Sequence, residues 1–422
     1  MKIGFKMKIR FNEKYLLDEI IWCVMLFEIM FGNLLHLSNS ISVCLLFLIF
    51  ISCIKDIKLY TGKQLMCILS FVIYTMIFPI YNFLNHGGSE IKLMYNVFAI
   101  VTPAAMLLYI TKSCSTKENY IFNKLFEMKY IINAYAIANI VVMILQIFTN
   151  RSVYSNKTEY WDSISGLFGK YGTPAASLFV SFVVAYDYIF YKYAQDKKLK
   201  SYIWFIVICN FLISAFNDNK TFYLILPVFM VCTQLIIGNV KAIKNNTLQR
   251  YIKFFFKICL AIVVGISTLI ILGNIPFIRH FYNQIEYTIN LGWKSTNMLG
   301  AEGSSERFGM ISYALNNPNI RDSGYGIGRL SWKEQNGLGF VHFGISDIGT
   351  FFILGGWEFI IVLVVFVWIS LTQLFKGKLM IFSFTFLLIA LGVYTQLFTE
   401  VNLMGCIVLY LSICWCVKRM KL

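Results

Sequence analysis

Apolar stretches of about 15 to 22 residues alternate with short polar connections along most of the chain, a longer rhythm than the two- or four-residue patterns of soluble strands and helices. Such stretches run near 20–35, 40–54, 64–83, 93–110, 130–149, 174–191, 201–216, 221–239, 254–273, 349–370, 379–397 and 400–417. A helix crosses a bilayer with roughly 20 apolar residues, so the pattern predicts an all-α, polytopic integral membrane protein with about twelve spans. One interval breaks the rhythm. Residues 274–347, between the ninth and tenth stretches, form a connection too long to lack a role of its own.

Composition narrows this further. The 422 residues are 58% hydrophobic and 14% charged, against about 25% charged in an ordinary soluble domain. No room remains for a large water-soluble catalytic unit. With only 6 prolines and no low-complexity tract, residues 1–422 read as a single membrane domain. The first apolar stretch lacks a small-residue cleavage site, so it reads as a span and not as a removable signal peptide.

A net charge of +16 would point to nucleic acid in a soluble protein, yet here topology accounts for most of it. With both termini cytoplasmic, most of the 37 Lys and Arg fall inside, clustered before residue 15 and around 112–129, 192–200, 241–257 and 418–421. No nucleic-acid partner is expected. Of the 11 cysteines all but Cys114 fall within apolar stretches, and Cys414 with Cys416 lacks a second pair at zinc spacing. Neither a metal-binding motif nor a phosphate-cradling glycine loop is present, so no cofactor is expected. Three acids, Glu28, Asp187 and Glu358, lie within or at the ends of apolar stretches, where ionisable groups mark either an ion pathway or a buried polar contact.

The long outer interval carries the chemistry. Pro276 to Trp293 suits an amphipathic helix on the membrane surface. A second helix is signalled by Ser304 or Ser305 as N-cap, Glu306 in its first turn, Phe308, Ile311 and Leu315 at helical spacing, and a stop at Asn316-Asn317-Pro318. Arg307 then sits near a helix start, where a second positive charge favours a nearby anion. After this come Arg321, the turn Gly324-Tyr325-Gly326-Ile327-Gly328, Arg329, Trp332, His342 and Asp347, and then Gly349, Gly355 and Gly356 in the tenth stretch.

That order of residues resembles the Wzy oligosaccharide repeat-unit polymerases and their relatives, the O-antigen ligases. The outer loop Arg151 to Thr173, the tight outer turn Ser214 to Thr221 and the number of spans fit the same resemblance. It implies a GT-C-type fold in a bacterial cytoplasmic membrane and two lipid-linked substrates meeting at the outer face. A growing glycan leaves undecaprenyl pyrophosphate and joins a hydroxyl of the sugar carried by another lipid. The resemblance implies Lys220 and Arg307 as pyrophosphate-binding cations, with Arg321, Arg329 and Lys170 as further ones, and His342 as the base oriented by Asp347. Phe343 follows His342 where the family commonly has Asn, leaving Glu302 or Glu306 as substitute bases. Lys220 stands where Arg is common, a point charge in place of a fork. Membrane lipid, a flippase and a chain-length regulator are the implied partners. An O-antigen ligase and a lipid-linked oligosaccharide flippase or other transporter are the alternative readings.

Overall fold

The computed structural model describes residues 15–56, 60–116, 118–149, 164–169, 172–194, 197–216, 221–239, 304–331 and 343–420, with four isolated helical positions between 256 and 267. Apart from those four positions the expected span at 254–273 lies outside the described residues, as does the surface helix at 276–293. Every regular element among the described residues is helical. In chain order these are α1 (Leu16–Phe27), α2 (Ser38–Lys55), α3 (Gly62–Val72), α4 (Phe78–His86), α5 (Glu90–Thr116), α6 (Glu118–Thr149), α7 (Thr173–Ala194), α8 (Lys197–Phe216) and α9 (Thr221–Asn239). Then come α10 (Ser304–Asn316), the single turn α11 (Pro318–Arg321), α12 (Asp347–Leu374), α13 (Lys378–Tyr394) and α14 (Val401–Met420). Among the described residues six segments are long and apolar enough to cross a membrane: Ser38–Lys55, Gly62–His86, Glu90–Cys114, Asn123–Thr149, Ala175–Lys192 and Asp347–Leu374.

Local signals set several helix ends. Thr61 and Gln64 form a reciprocal capping box at the start of α3, the Thr61 hydroxyl accepting from Gln64 N and the Gln64 side chain from Thr61 N. Asn317 caps α11, whose first residue is Pro318, and Ser346 caps α12 by accepting from Gly349 N at 3.1 Å. Two wider, π-helical turns interrupt the regular spiral. One, Ile73–Ile77, links α3 to α4 immediately ahead of Pro79, whose ring and missing N–H disturb the turn before it. The other, Glu28–Gly32, ends α1.

Burial runs in the sense a bilayer dictates. Peripheral helices expose large apolar side chains such as Phe47, Leu65, Leu84, Ile91, Phe98 and Phe148, a surface that water would not tolerate and lipid does. At the centre stands α14, buried on all sides from Val401 to Cys416 and packed against α5, α7 and the Glu28–Gly32 turn. Basic residues expected to be cytoplasmic anchors include two that the fold takes inside. Lys112 pairs with Asp56 at 2.8 Å and donates to the Ser52 hydroxyl, whereas Lys129 is ringed by Phe126, Tyr130 and Phe190 at 4.8 to 5.5 Å.

The tenth expected stretch is not one smooth helix. Within α12, Gly356 adopts φ +61°, ψ −156°, a conformation that only glycine adopts at low cost, and the spiral breaks there. The break frees backbone groups inside an apolar bundle, and the glycine turn supplies their partners. Tyr325 N donates to Ile353 O at 2.7 Å, Gly326 N to Leu354 O at 3.0 Å, and Glu358 N to Asp322 O at 3.1 Å. The loop and the broken helix therefore satisfy each other, as buried backbone requires.

Candidate functional site

Residues 395–400, the link between α13 and α14, lie against the start of α12. Asp347, in the first turn of α12, is fully buried. Its Oδ1 accepts from the Thr399 hydroxyl at 2.7 Å and its Oδ2 from Phe398 N–H. Gln396 donates to Gly344 O, so the segment entering α12 is tied to the same link. A carboxylate out of water needs donors of this kind, and the helix start adds a favourable field. Asp347 thus fastens the entry of α12 to the link. The expected partnership with His342 lies outside the described residues, as do Lys170 and Lys220.

Arg307 lies on the other side of that link. The sequence signals for its helix hold: α10 runs Ser304–Asn316, and Arg307 falls in its first turn. Only 7% of the residue is exposed, its guanidinium carbon is 4.5 Å from the Tyr394 ring centroid, and its Nε has no hydrogen-bond partner among the described residues. Gly349 explains how α10 comes so near α12. A Cβ at Gly349 would stand 3.2 Å from Arg307 O and 3.1 Å from Met310 Cβ, so the missing side chain lets the two helices close. The result is a desolvated cation, stacked on an aromatic face, with a donor to spare. An anion is the ligand that such a group favours.

Arg321 and Arg329 flank the glycine turn and have a different setting. Arg321 Nε donates to Asp322 Oδ1 at 3.0 Å with both side chains exposed, and that bond holds the guanidinium proton more firmly still. Arg329 Nε donates to His86 O at 2.7 Å, and Lys92 Nζ donates to Arg329 O at 3.3 Å. The turn between them is clamped by polar residues that sequence reasoning overlooked. Asn82 donates to Ser323 O at 2.7 Å and accepts from Ile327 N at 2.8 Å. Asn96 donates to Ile327 O and Leu330 O, Ser89 N to Gly328 O, and the His86 ring meets Ser323 Oγ at 3.2 Å. A lone Asn within an apolar span was the available signal, because an amide there needs partners.

The third part is the C-terminal end of α1. Glu28 is 1% exposed, and its Oε2 has no hydrogen-bond partner among the described residues. The short turn at Gly166–Phe168, between α6 and α7, lies against this end and is pinned to α6: Gly166 N donates to Gln146 Oε1 at 2.9 Å and Leu167 N to Asn139 Oδ1 at 2.7 Å. Tyr135 OH, also from α6, donates to Met30 O. Of the other embedded acids, Asp187 accepts from Asn133 Nδ2 at 3.1 Å, and Glu358 is half-buried just past the α12 break. Among the described residues no three His, Cys, Asp or Glu side chains come together to hold a metal ion. Neither a family model, nor a curated protein, nor a solved structure matches this chain.

Proposed function

We propose that this membrane protein is a glycan polymerase of the Wzy type, joining undecaprenyl-pyrophosphate-linked oligosaccharides into a surface polysaccharide at the outer face of a bacterial cytoplasmic membrane. In this reading the chain crosses the membrane about twelve times with both termini cytoplasmic. The observation that carries it is Arg307, a buried, aromatic-stacked guanidinium with an unpartnered donor. A lipid pyrophosphate is already an activated leaving group and needs fixed positive charge more than it needs an acid. The acceptor oxygen attacks the reducing-end carbon, the bond from that carbon to pyrophosphate breaks with its electron pair, and Arg307 meets the charge together with Lys220. The acceptor's proton goes to His342, the base that the family resemblance implies. A flippase and a chain-length regulator are its partners in the same reading.

A transporter is the other class to weigh, because broken helices often bare their freed ends to a substrate. The α12 break speaks against it: Ile353 O, Leu354 O and Glu358 N are all occupied by the glycine turn. Deleting the gene and resolving surface glycans on a gel tests the proposal. A ladder collapsed to one repeat supports polymerisation, full-length unattached chains reassign the protein as a ligase, and loss of all external glycan reassigns it as a flippase. Topology is tested separately. A cysteine placed at Ser304 should react with a membrane-impermeant thiol reagent on intact cells, and protection until permeabilisation would remove the outer-face site.

A further inference from the structure

From the π-helical turn Glu28–Gly32 we infer that the outer end of α1 forms an acceptor-sugar subsite, in which the Glu28 carboxylate receives a sugar hydroxyl. This rests on the polymerase reading and adds the second substrate's binding site to it. Three observations combine. Glu28 is 1% exposed with Oε2 unpartnered among the described residues, while the neighbouring Ser38 hydroxyl, shared between the Glu28 carboxyl group and Asn33 Oδ1 at 3.1 Å, leaves that oxygen without a donor. A carboxylate oxygen shut away from water without a donor is costly, so a ligand bearing a donor gains by meeting it.

The turn is also shaped around that carboxylate. A Cβ at Gly32 would stand 2.3 Å from Glu28 Oε2 and 2.6 Å from Oε1, so the carboxylate occupies the space that any other residue at 32 would fill. The widened turn is the kind of local distortion that recurs at functional sites. It is also held in place, because Ile29 packs where a Cβ on Gly405 of α14 would come within 2.9 Å of it.

The Glu28–Gly32 turn packs against α14, into which the 395–400 link leads, Arg307 stacks on Tyr394 just before that link, and Asp347 is bonded to it. Donor-side cation and acceptor-side acid therefore flank one link. A buried carboxylate oxygen that lacks a donor favours a ligand dense in O–H groups, and a sugar is such a ligand. With no group of three metal-ligating side chains among the described residues, a hydroxyl-bearing ligand fits better than a cation.

The test uses purified full-length protein in nanodiscs, with lipid-linked polymer as donor and single lipid-linked repeat units, extracted from cells lacking the gene, as the varied acceptor. Glu28→Ala should raise the acceptor KM by about tenfold or more, as loss of a charge-assisted hydrogen bond does, with kcat within about twofold. Glu28→Gln, which keeps shape and an accepting oxygen, should raise it less. Gly32→Ala, which keeps the carboxylate but puts a methyl in its place, should move KM in the same direction and covers the case in which Glu28→Ala fails to fold. Arg307→Gln is the contrast, losing transfer through the donor side.

Unchanged acceptor KM in Glu28→Ala and Gly32→Ala, with Arg307→Gln inactive, overturns the subsite and leaves the polymerase reading standing. A kcat collapse at unchanged KM also overturns it, making Glu28 a base. So does loss of wild-type transfer on adding EDTA, which would make the carboxylate a ligand of a metal ion. If Arg307→Gln also transfers normally, the polymerase reading fails with it.

Discussion

Arg307 and Arg321 belong to consecutive helices of the same outer segment, yet the fold treats them in opposite ways. Arg307 is 7% exposed, stacked on Tyr394, and keeps a donor unused among the described residues. Arg321 is exposed and spends its Nε on the adjacent Asp322. Both are cations, so charge alone does not separate them. Both segments come close to α12, and what separates the arginines is where each side chain ends: Arg307 lies over the Tyr394 ring, whereas Arg321 closes a single turn and meets the adjacent, exposed Asp322. A desolvated charge acts strongly on a ligand, and a solvated, paired one acts weakly.

The largest expected effect breaks this contrast at its buried end. Arg307→Gln should lower glycan transfer by about 10²-fold or more, the usual cost of removing one fixed donor from a developing charge, at unchanged protein level. Arg307→Lys should fall between, since ammonium keeps the charge but loses the planar stack on Tyr394. In vitro chain length on a gel reads both, and full-length polymer from Arg307→Gln would end the contrast.

Next comes the junction that fixes the two arginines' relative positions. Gly356→Ala forces a side chain into a φ +61° conformation, costing about 1–2 kcal/mol. It also sets a Cβ 2.4 Å from the Asp322 backbone, which adds to that cost. Thermal unfolding in detergent should shift downward, and a cysteine at Tyr325, already 38% exposed, should label faster. An unchanged melting temperature would mean that the α12 break is not held by the glycine turn.

A smaller loss follows from Asn82→Ala, which leaves Ser323 O and Ile327 N without their partners and costs about 1–3 kcal/mol. Transfer should drop less than in Arg307→Gln, because the cation itself is untouched. Smallest of all is Arg321→Gln. Its exposed ion pair predicts transfer within about twofold of wild type. A drop comparable to that of Arg307→Gln would show that exposure is a poor guide to which cation meets the substrate.

Some of this was readable before any coordinates. The α10 boundaries, Ser304–Asn316, agree with the N-cap and Asn-Asn-Pro signals, because caps and stops act within a few residues of chain. The candidate site was readable only in part. Arg307 was marked by its place at a helix start, but nothing local distinguishes its burial from the exposure of Arg321. The carboxylate of Asp347 was expected to orient a histidine, and both its oxygens are engaged by residues 398 and 399, far along the chain.

The sequence by itself determined that this chain is a helical membrane protein, where its apolar segments lie, and that one long interval, 274–347, interrupts them with polar residues. Those properties follow from hydropathy and capping, which depend on near neighbours. Only the tertiary structure decided that α12 breaks at Gly356 against the glycine turn, that Asn82 reaches Ser323 across 241 positions, and that Arg307 and Glu28 flank one link. The physical reason is that a polar group in an apolar bundle must find its partner wherever packing brings one. That distance in space has no fixed relation to distance along the chain.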